Sequence, residues 1–157
     1  MLSYSLPCKS LSGIRGNSAA MNRLKTRAQF QAVLAGGTVA RTAHFALHRT
    51  ACDAVHSNEI AVQQPLFPGQ SVWMGAMVPK RWAKRAVTRN AIKRQIYNVS
   101  VQFEPLLDAS AHLVRLRSAF DRVQFISASS TVLKESVRAE LLQLFERATA
   151  GQSPARQ

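Results

Sequence analysis

The sequence predicts a mixed α+β domain in which three helices and three short strands share one core. Two observations carry this. Apolar residues recur at helical spacing in three separate stretches, while three shorter stretches alternate or run continuously apolar as strands do. At 157 residues the chain suits a single domain, since domains most often run about 100–150 residues. Residues 21–150 are expected to form it. Residues 1–20, "MLSYSLPCKSLSGIRGNSAA", are Ser-rich and aperiodic and stand before a second methionine, Met21; they read as a disordered tail or an over-extended start. Residues 151–157 read as a disordered C-terminal tail.

The elements follow in order. Thr26 and Gln29 have the spacing of a capping box, Phe30, Val33 and Leu34 fall on one helical face, and Gly36-Gly37 supplies a left-handed stop. "HFALH" alternates, with Phe45 and Leu47 on one face and His44, Ala46 and His48 on the other. "SVWMGAMV" is apolar on both faces and is expected to be the central strand. Between these strands, 50–70 holds Gly, Asn and two prolines and suits a long surface loop. From about Arg85 to Phe103 the period is helical: Ile92, Ile96, Val99 and Phe103 form a stripe to bury, and Pro105 ends the helix. "HLVRLR" sets Val114 and Leu116 against Leu113, Arg115 and Arg117, a strand whose basic face extends any cationic surface. The stretch from Phe120 to Ser130 reads as a loop or a short edge strand. Leu133, Val137, Leu141, Leu144 and Ala148 mark a last amphipathic helix.

Charge narrows the function. Twenty-one basic residues against eight acidic give a net charge of +13, the footprint of a protein that meets a polyanion, most often nucleic acid. The charge is focused, because no acidic residue falls between Ala61 and Phe103. Cys8 and Cys52 have no metal-type or disulfide spacing, no apolar run approaches a membrane span, and a soluble protein of the reducing cytoplasm is expected. The carboxylates show no acid–base or two-metal pattern, and there is no Gly-rich phosphate loop. No catalytic residue is expected on the polypeptide.

The candidate site is "KRWAKRAVTRNAIKR", with Lys80, Arg81, Lys84, Arg85, Arg89, Lys93 and Arg94 and no acidic partner at helical spacing. Such cations neutralise phosphates, and the arginine fork can hold two oxygens of one. Asn90 suits a 2′-hydroxyl, a base edge or a structural bond at the strand-to-helix junction. Trp82 is read as packing. His44 and His48 share a strand face but have no third ligand or carboxylate nearby in sequence, so RNA contact is favoured over metal binding or acid–base work.

"KRAVTRNAIKRQI", with the upstream "MGAMVPKR" and the opening "RLKTRAQFQAVLAGG" followed by "HFALH", resembles the protein subunit of bacterial ribonuclease P. The resemblance runs in order from about Arg23 to Arg117. It implies a fold of the ribosomal protein S5 domain 2 kind, a split β-α-β unit with a left-handed crossover, against the usual right-handed rule. It implies an endoribonuclease subunit for tRNA 5′ maturation in which an RNA subunit and its Mg²⁺ ions carry the catalysis. By position, Arg89, Asn90, Lys93 and Arg94 match the RNA-binding motif, and Lys80, Arg81, Lys84 and Arg85 its basic approach. Phe30, Leu34 and His48 match a cleft that holds the single-stranded 5′ leader of precursor tRNA, although Leu34 stands where many members have a second aromatic. The implied partners are the catalytic RNA and the leader, with one monomeric protein per RNA.

Ala91 departs from the family's usual Arg-Asn-Arg, and "YNV" from its Arg-Glu continuation, predicting one phosphate or tertiary contact fewer. A ribosomal protein or ribosome-assembly factor is the alternative reading, since it would share fold and charge. An autonomous nuclease is disfavoured by the scattered carboxylates.

Overall fold

The computed structural model describes residues 21–52, 66–69, 71–121 and 131–150. The expected tails, most of the 50–70 loop and most of the 120–130 stretch lie outside the described residues.

Nine elements follow Met21: β1 (Asn22–Arg23), α1 (Arg27–Ala35), β2 (Gly37–Arg41), β3 (Phe45–Ala51), β4 (Trp73–Met77), α2 (Ala86–Phe103), a 3-10 turn (Glu104–Leu106), β5 (Ser110–Leu116) and α3 (Thr131–Ala150). The capping box of α1 forms as its spacing predicts: Gln29 N–H donates to Thr26 Oγ1 at 3.2 Å, and Thr26 N–H donates to Gln29 Oε1 at 3.2 Å. The Gln29 amide nitrogen then donates to the Leu66 carbonyl at 2.9 Å, tying the end of the long loop to α1.

The glycine stop works differently from expectation. Gly36 is extended, at φ −66° and ψ 167°, and Gly37 begins β2. Gly36 is needed for close approach, because a Cβ there would run into the Arg49 carbonyl oxygen and the Thr50 side chain on β3. The only glycine with positive φ among the described residues is Gly69.

One five-stranded sheet runs in the order β1-β4-β5-β3-β2. β5 therefore occupies the centre, and the strand expected there, β4, is one place from the edge. Sequence could not show this, since β1 is a two-residue parallel partner of β4, formed by the ladder bonds of Asn22 and Leu24 to the Val72 and Met74 carbonyls. β4 and β5 are parallel, while β5, β3 and β2 are antiparallel in turn. The two strands joined through α2 are direct neighbours, so the β-α-β unit is not split by an intervening strand as expected.

Both faces of the sheet are covered, which is why β4 and β5 read as nearly continuous apolar runs. Phe45, Leu47, Met74, Ala76, Val114 and Leu116 face α2 and α3 and meet the predicted stripes Ile92, Ile96, Val99 and Leu133, Val137, Leu141, Leu144. On the other face Val33 of α1 packs with Leu24, Phe67, Ala111 and Leu113. Gly75 makes room there, since a Cβ would meet the Leu24 and Leu113 methyls. Trp82 packs against the first cluster as predicted.

His44 is structural. Its Nδ1 lies 2.8 Å from Glu140 Oε2, its backbone N–H donates to Glu140 Oε1 at 2.6 Å, and its ring stacks on Phe120 at 4.1 Å. These contacts pin the start of β3 to α3. His112, on the central strand, is almost fully buried, with Nε2 3.3 Å from the Asp108 carbonyl and Nδ1 without a hydrogen-bond partner among the described residues. Burial holds its pKa down at about 4, against the ordinary 6.5, with the neighbouring Arg49 charge adding to the effect.

Gly36→Ala should destabilise the fold by about 2 kcal/mol or more, because backbone cannot move aside as a side chain can. Gly37→Ala, with nothing within 4 Å of the new Cβ, should leave the urea midpoint nearly unchanged. For His112, the unfolded chain takes up the proton that the folded chain refuses between pH 6.5 and about 4. Stability is thus full above that window and lost as pH falls through it, by on the order of 3 kcal/mol for the whole shift. Urea melts of the wild type and His112→Gln should converge as the pH is lowered from 7 to about 4.

Candidate nucleic-acid interface

α2 carries the candidate surface, and its apolar stripe sets its roll against the sheet. With Ile92, Ile96 and Val99 buried, the successive 100° steps of a helix bring Arg89, Lys93 and Tyr97 to the shoulder and Asn90 and Arg94 further out. Accessibility follows that projection: Arg89, Lys93 and Tyr97 are half-buried, and Asn90 and Arg94 are exposed. Lys80, Arg81, Lys84 and Arg85 are exposed along the turn that enters the helix. None of these cations is paired with a carboxylate among the described residues, whose ion pairs include His44–Glu140 and Arg49–Asp108.

Arg89 has a task of its own. Its Nη1 donates to the carbonyls of Ala83 at 3.0 Å and Lys84 at 2.7 Å. The N-cap residue, Arg85, makes no side-chain cap, so Arg89 secures the turn that leads into α2. Asn90 makes no side-chain hydrogen bond among the described residues, which removes the structural role considered for it. Ala91, the departure from the motif, is half-buried.

The cleft residues divide. Phe30 lines an open groove of about 520 Å³ together with Arg27, Ala76, Met77, Val78, Pro79 and Lys93. The groove therefore joins α1 to the cationic shoulder of α2 through the end of β4. Leu34 packs at the edge of the core beneath α1 and does not line it. His48 lies on the same sheet face as the groove but two strands away from β4, with Nδ1 3.3 Å from Thr38 Oγ1. Partial burial, then the charges of Arg115 and Arg41, push its pKa below the ordinary value.

Four residues here escaped the sequence-based site. Arg27 stands one helical turn before Phe30, and Arg23 lays its guanidinium over the Tyr97 ring at 4.1 Å. Arg115 and Arg41 surround His48. The alternation of "HLVRLR" did mark Arg115 as part of a basic face, but only the sheet order puts it beside β3. No group of three or more His, Cys, Asp or Glu side chains that could hold a metal is found among the described residues, and none of their helices is long and apolar enough to cross a membrane.

Comparison with known proteins gives a consistent result. The sequence profile of the family Ribonuclease P matches residues 19–148. The chain is 34% identical over 127 residues to the ribonuclease P protein component of Ralstonia pickettii, covering 81% of this chain and 79% of that one. It is 32% identical over 133 residues to the ribonuclease P protein component of Bordetella parapertussis, covering 85% and 96% respectively. The Staphylococcus aureus RNase P protein structure superposes with a TM-score of 0.56 at 19% identity, covering 80% of this chain and 94% of that one, a likeness of fold. From the profile match and these relatives, the chain belongs to the ribonuclease P protein family.

Proposed function

We propose that this chain binds the catalytic RNA of ribonuclease P through α2 and holds the 5′ leader of precursor tRNA in the groove beside Phe30. One observation carries the reading: Lys93 belongs both to the cationic flank of α2 and to the lining of the groove that contains Phe30. A surface bound to RNA through α2 would deliver a single strand into the groove. There an aromatic face and apolar walls suit an unstacked base, while Arg27 and Lys93 suit its phosphates.

In this reading the protein contributes position and charge, and the RNA subunit with its Mg²⁺ ions contributes the cleavage chemistry. Mg²⁺ enters with the RNA and the substrate. Neutralising phosphates with fixed cations lowers the amount of free Mg²⁺ that folding and substrate binding require. The complex is one protein to one RNA and works in the cytoplasm. The β4–α2–β5 connection is taken as left-handed, in the manner of the ribosomal protein S5 domain 2 fold.

Reconstitution with the cognate RNA and a leader-bearing precursor tRNA at low Mg²⁺ should show strong stimulation of correct 5′ cleavage by the protein; absence of stimulation would sink the reading. Arg94→Ala should weaken binding to the catalytic RNA and reduce the log–log salt slope by about 0.7–0.9 for the lost phosphate contact. Arg89→Ala should also lower the protein's own stability, read from its urea melt, by about 1 kcal/mol or more, since two carbonyl bonds vanish with it. A slope unchanged in Arg94→Ala would make that side chain part of a merely solvated face.

A further inference from the structure

The cations of α2 stop before its surface does. Beyond Arg94 the helix continues through 95–103, QIYNVSVQF, with no Lys or Arg. Tyr97 lies one turn past Lys93 on the same flank, about 6 Å further along the axis, and is half-buried. At that level the charge comes from another element. Arg23 of β1 sets its guanidinium over the Tyr97 ring, 4.1 Å from the ring centroid.

The sheet brings these distant residues together. Asn22 N–H donates to the Val72 carbonyl at 2.9 Å and Leu24 N–H to the Met74 carbonyl at 3.0 Å, so the backbone on either side of Arg23 is fixed to β4. The Asn22 side chain adds a bond to Ser71 Oγ at 2.7 Å. Side chains alternate along a strand, and Leu24 enters the cluster beneath α1. Arg23, in register with Met74, therefore projects from the opposite face, the one that α2 covers. It stands at the edge of the sheet and does not line the groove beside Phe30. Arg23 is exposed and has no carboxylate partner among the described residues. A ring face attracts the charge but offers no lone pair, and the guanidinium makes no hydrogen bond among the described residues. A planar cation with unused donors, beside Lys93 and Arg94, suits a phosphate. Held on the ring, its long side chain has already given up rotamer freedom that binding otherwise takes from it.

We propose that Arg23, positioned by Tyr97, holds a phosphate of the catalytic RNA and so extends the docking surface of α2 onto the edge of the sheet. This rests on the proposed docking of that RNA on α2. Arg94 and then Arg23 follow one another along the helix, and the second cation is supplied by β1 where α2 has only an aromatic ring. Tyr97 is a positioning residue, acting through the guanidinium that it carries.

The test measures binding of the whole chain to the catalytic RNA alone, without precursor tRNA, across a series of salt concentrations. Arg23→Met removes the charge and keeps an apolar stem, and it should weaken binding about 10-fold with the log–log salt slope reduced by about 0.7–0.9. Arg23→Lys should keep the slope and recover only part of the affinity, because an ammonium lacks the planar fork. Tyr97→Leu should weaken binding about 2- to 5-fold with the slope unchanged, since the charge remains but is no longer held. Tyr97→Phe, which keeps the ring, should bind as wild type. The double variant Arg23→Met/Tyr97→Leu should be no weaker than Arg23→Met, because the ring acts only through the guanidinium. An unchanged slope in Arg23→Met overturns the proposal, and additive losses in the double variant overturn the positioning role of Tyr97. If Arg23→Met binds the catalytic RNA normally and weakens only the capture of precursor tRNA by the holoenzyme, the phosphate belongs to the substrate and the proposal is wrong. Arg94→Ala measured alongside separates the two levels. With no effect of Arg94→Ala, the docking of RNA on α2 fails and the site at Arg23 fails with it; with an effect of Arg94→Ala and none of Arg23→Met, the site at Arg23 alone is wrong.

Discussion

The parallel pairing of β4 with β5 is the constraint from which the functional surface follows. Parallel neighbours cannot be joined by a hairpin, so the chain must leave the end of β4, cross the sheet and return to the start of β5. α2 is that crossing. Its stripe of Ile92, Ile96 and Val99 must lie on Met74, Ala76 and Val114 to exclude water, and this single requirement sets both the place and the roll of the helix. The cations then have no freedom about where they go. Lys93 is carried to the end of β4, where α1 approaches from the other side, and a groove with Phe30 on one wall and a lysine on the other is the result.

Local patterns in the sequence were legible because they act over short distances. The Thr26–Gln29 box, the stripe of α2, the Pro105 stop and the packing of Trp82 are matters of neighbours within a few residues, and all appear where their spacing puts them. What escaped is set by partners far away in the chain. β1 exists only because the Val72 and Met74 carbonyls accept its N–H groups, and no side-chain period announces a two-residue strand. Gly36 signals a tight place in either reading, but only the crossing of β3 shows that the tightness is steric rather than conformational. The site divides in the same way. The cationic flank was readable from the helical wheel, whereas the carbonyl clamp made by Arg89 and the gathering of Arg41, Arg115 and His48 depend on a turn and on a sheet order.

The electrostatics of the molecule are lopsided in space as well as in sequence. Glu135, Glu140 and Glu146 sit on α3, and Glu140 is occupied in holding the start of β3. The cations of α2 and of the α1 side of the sheet have no comparable partners among the described residues. Exposed charges at this density repel weakly in salt, where screening acts over about 8 Å, so the free protein tolerates them. Half-buried ones are screened less. At the sheet face, burial first and then the charges of Arg115 and Arg41 hold the His48 pKa below its ordinary value.

Such a distribution orients the molecule before any contact is made. A polyanion approaching from solution would be drawn to α2 and the groove rather than to α3, where Lys134, Arg138 and Arg147 offset Glu135, Glu140 and Glu146, and this favours one orientation of encounter. In the proposed reading, fixed cations would hold phosphates in place with little reorganisation at the moment of reaction, and they would contribute a bound strand whose position is already determined by the packing of three helices on one sheet.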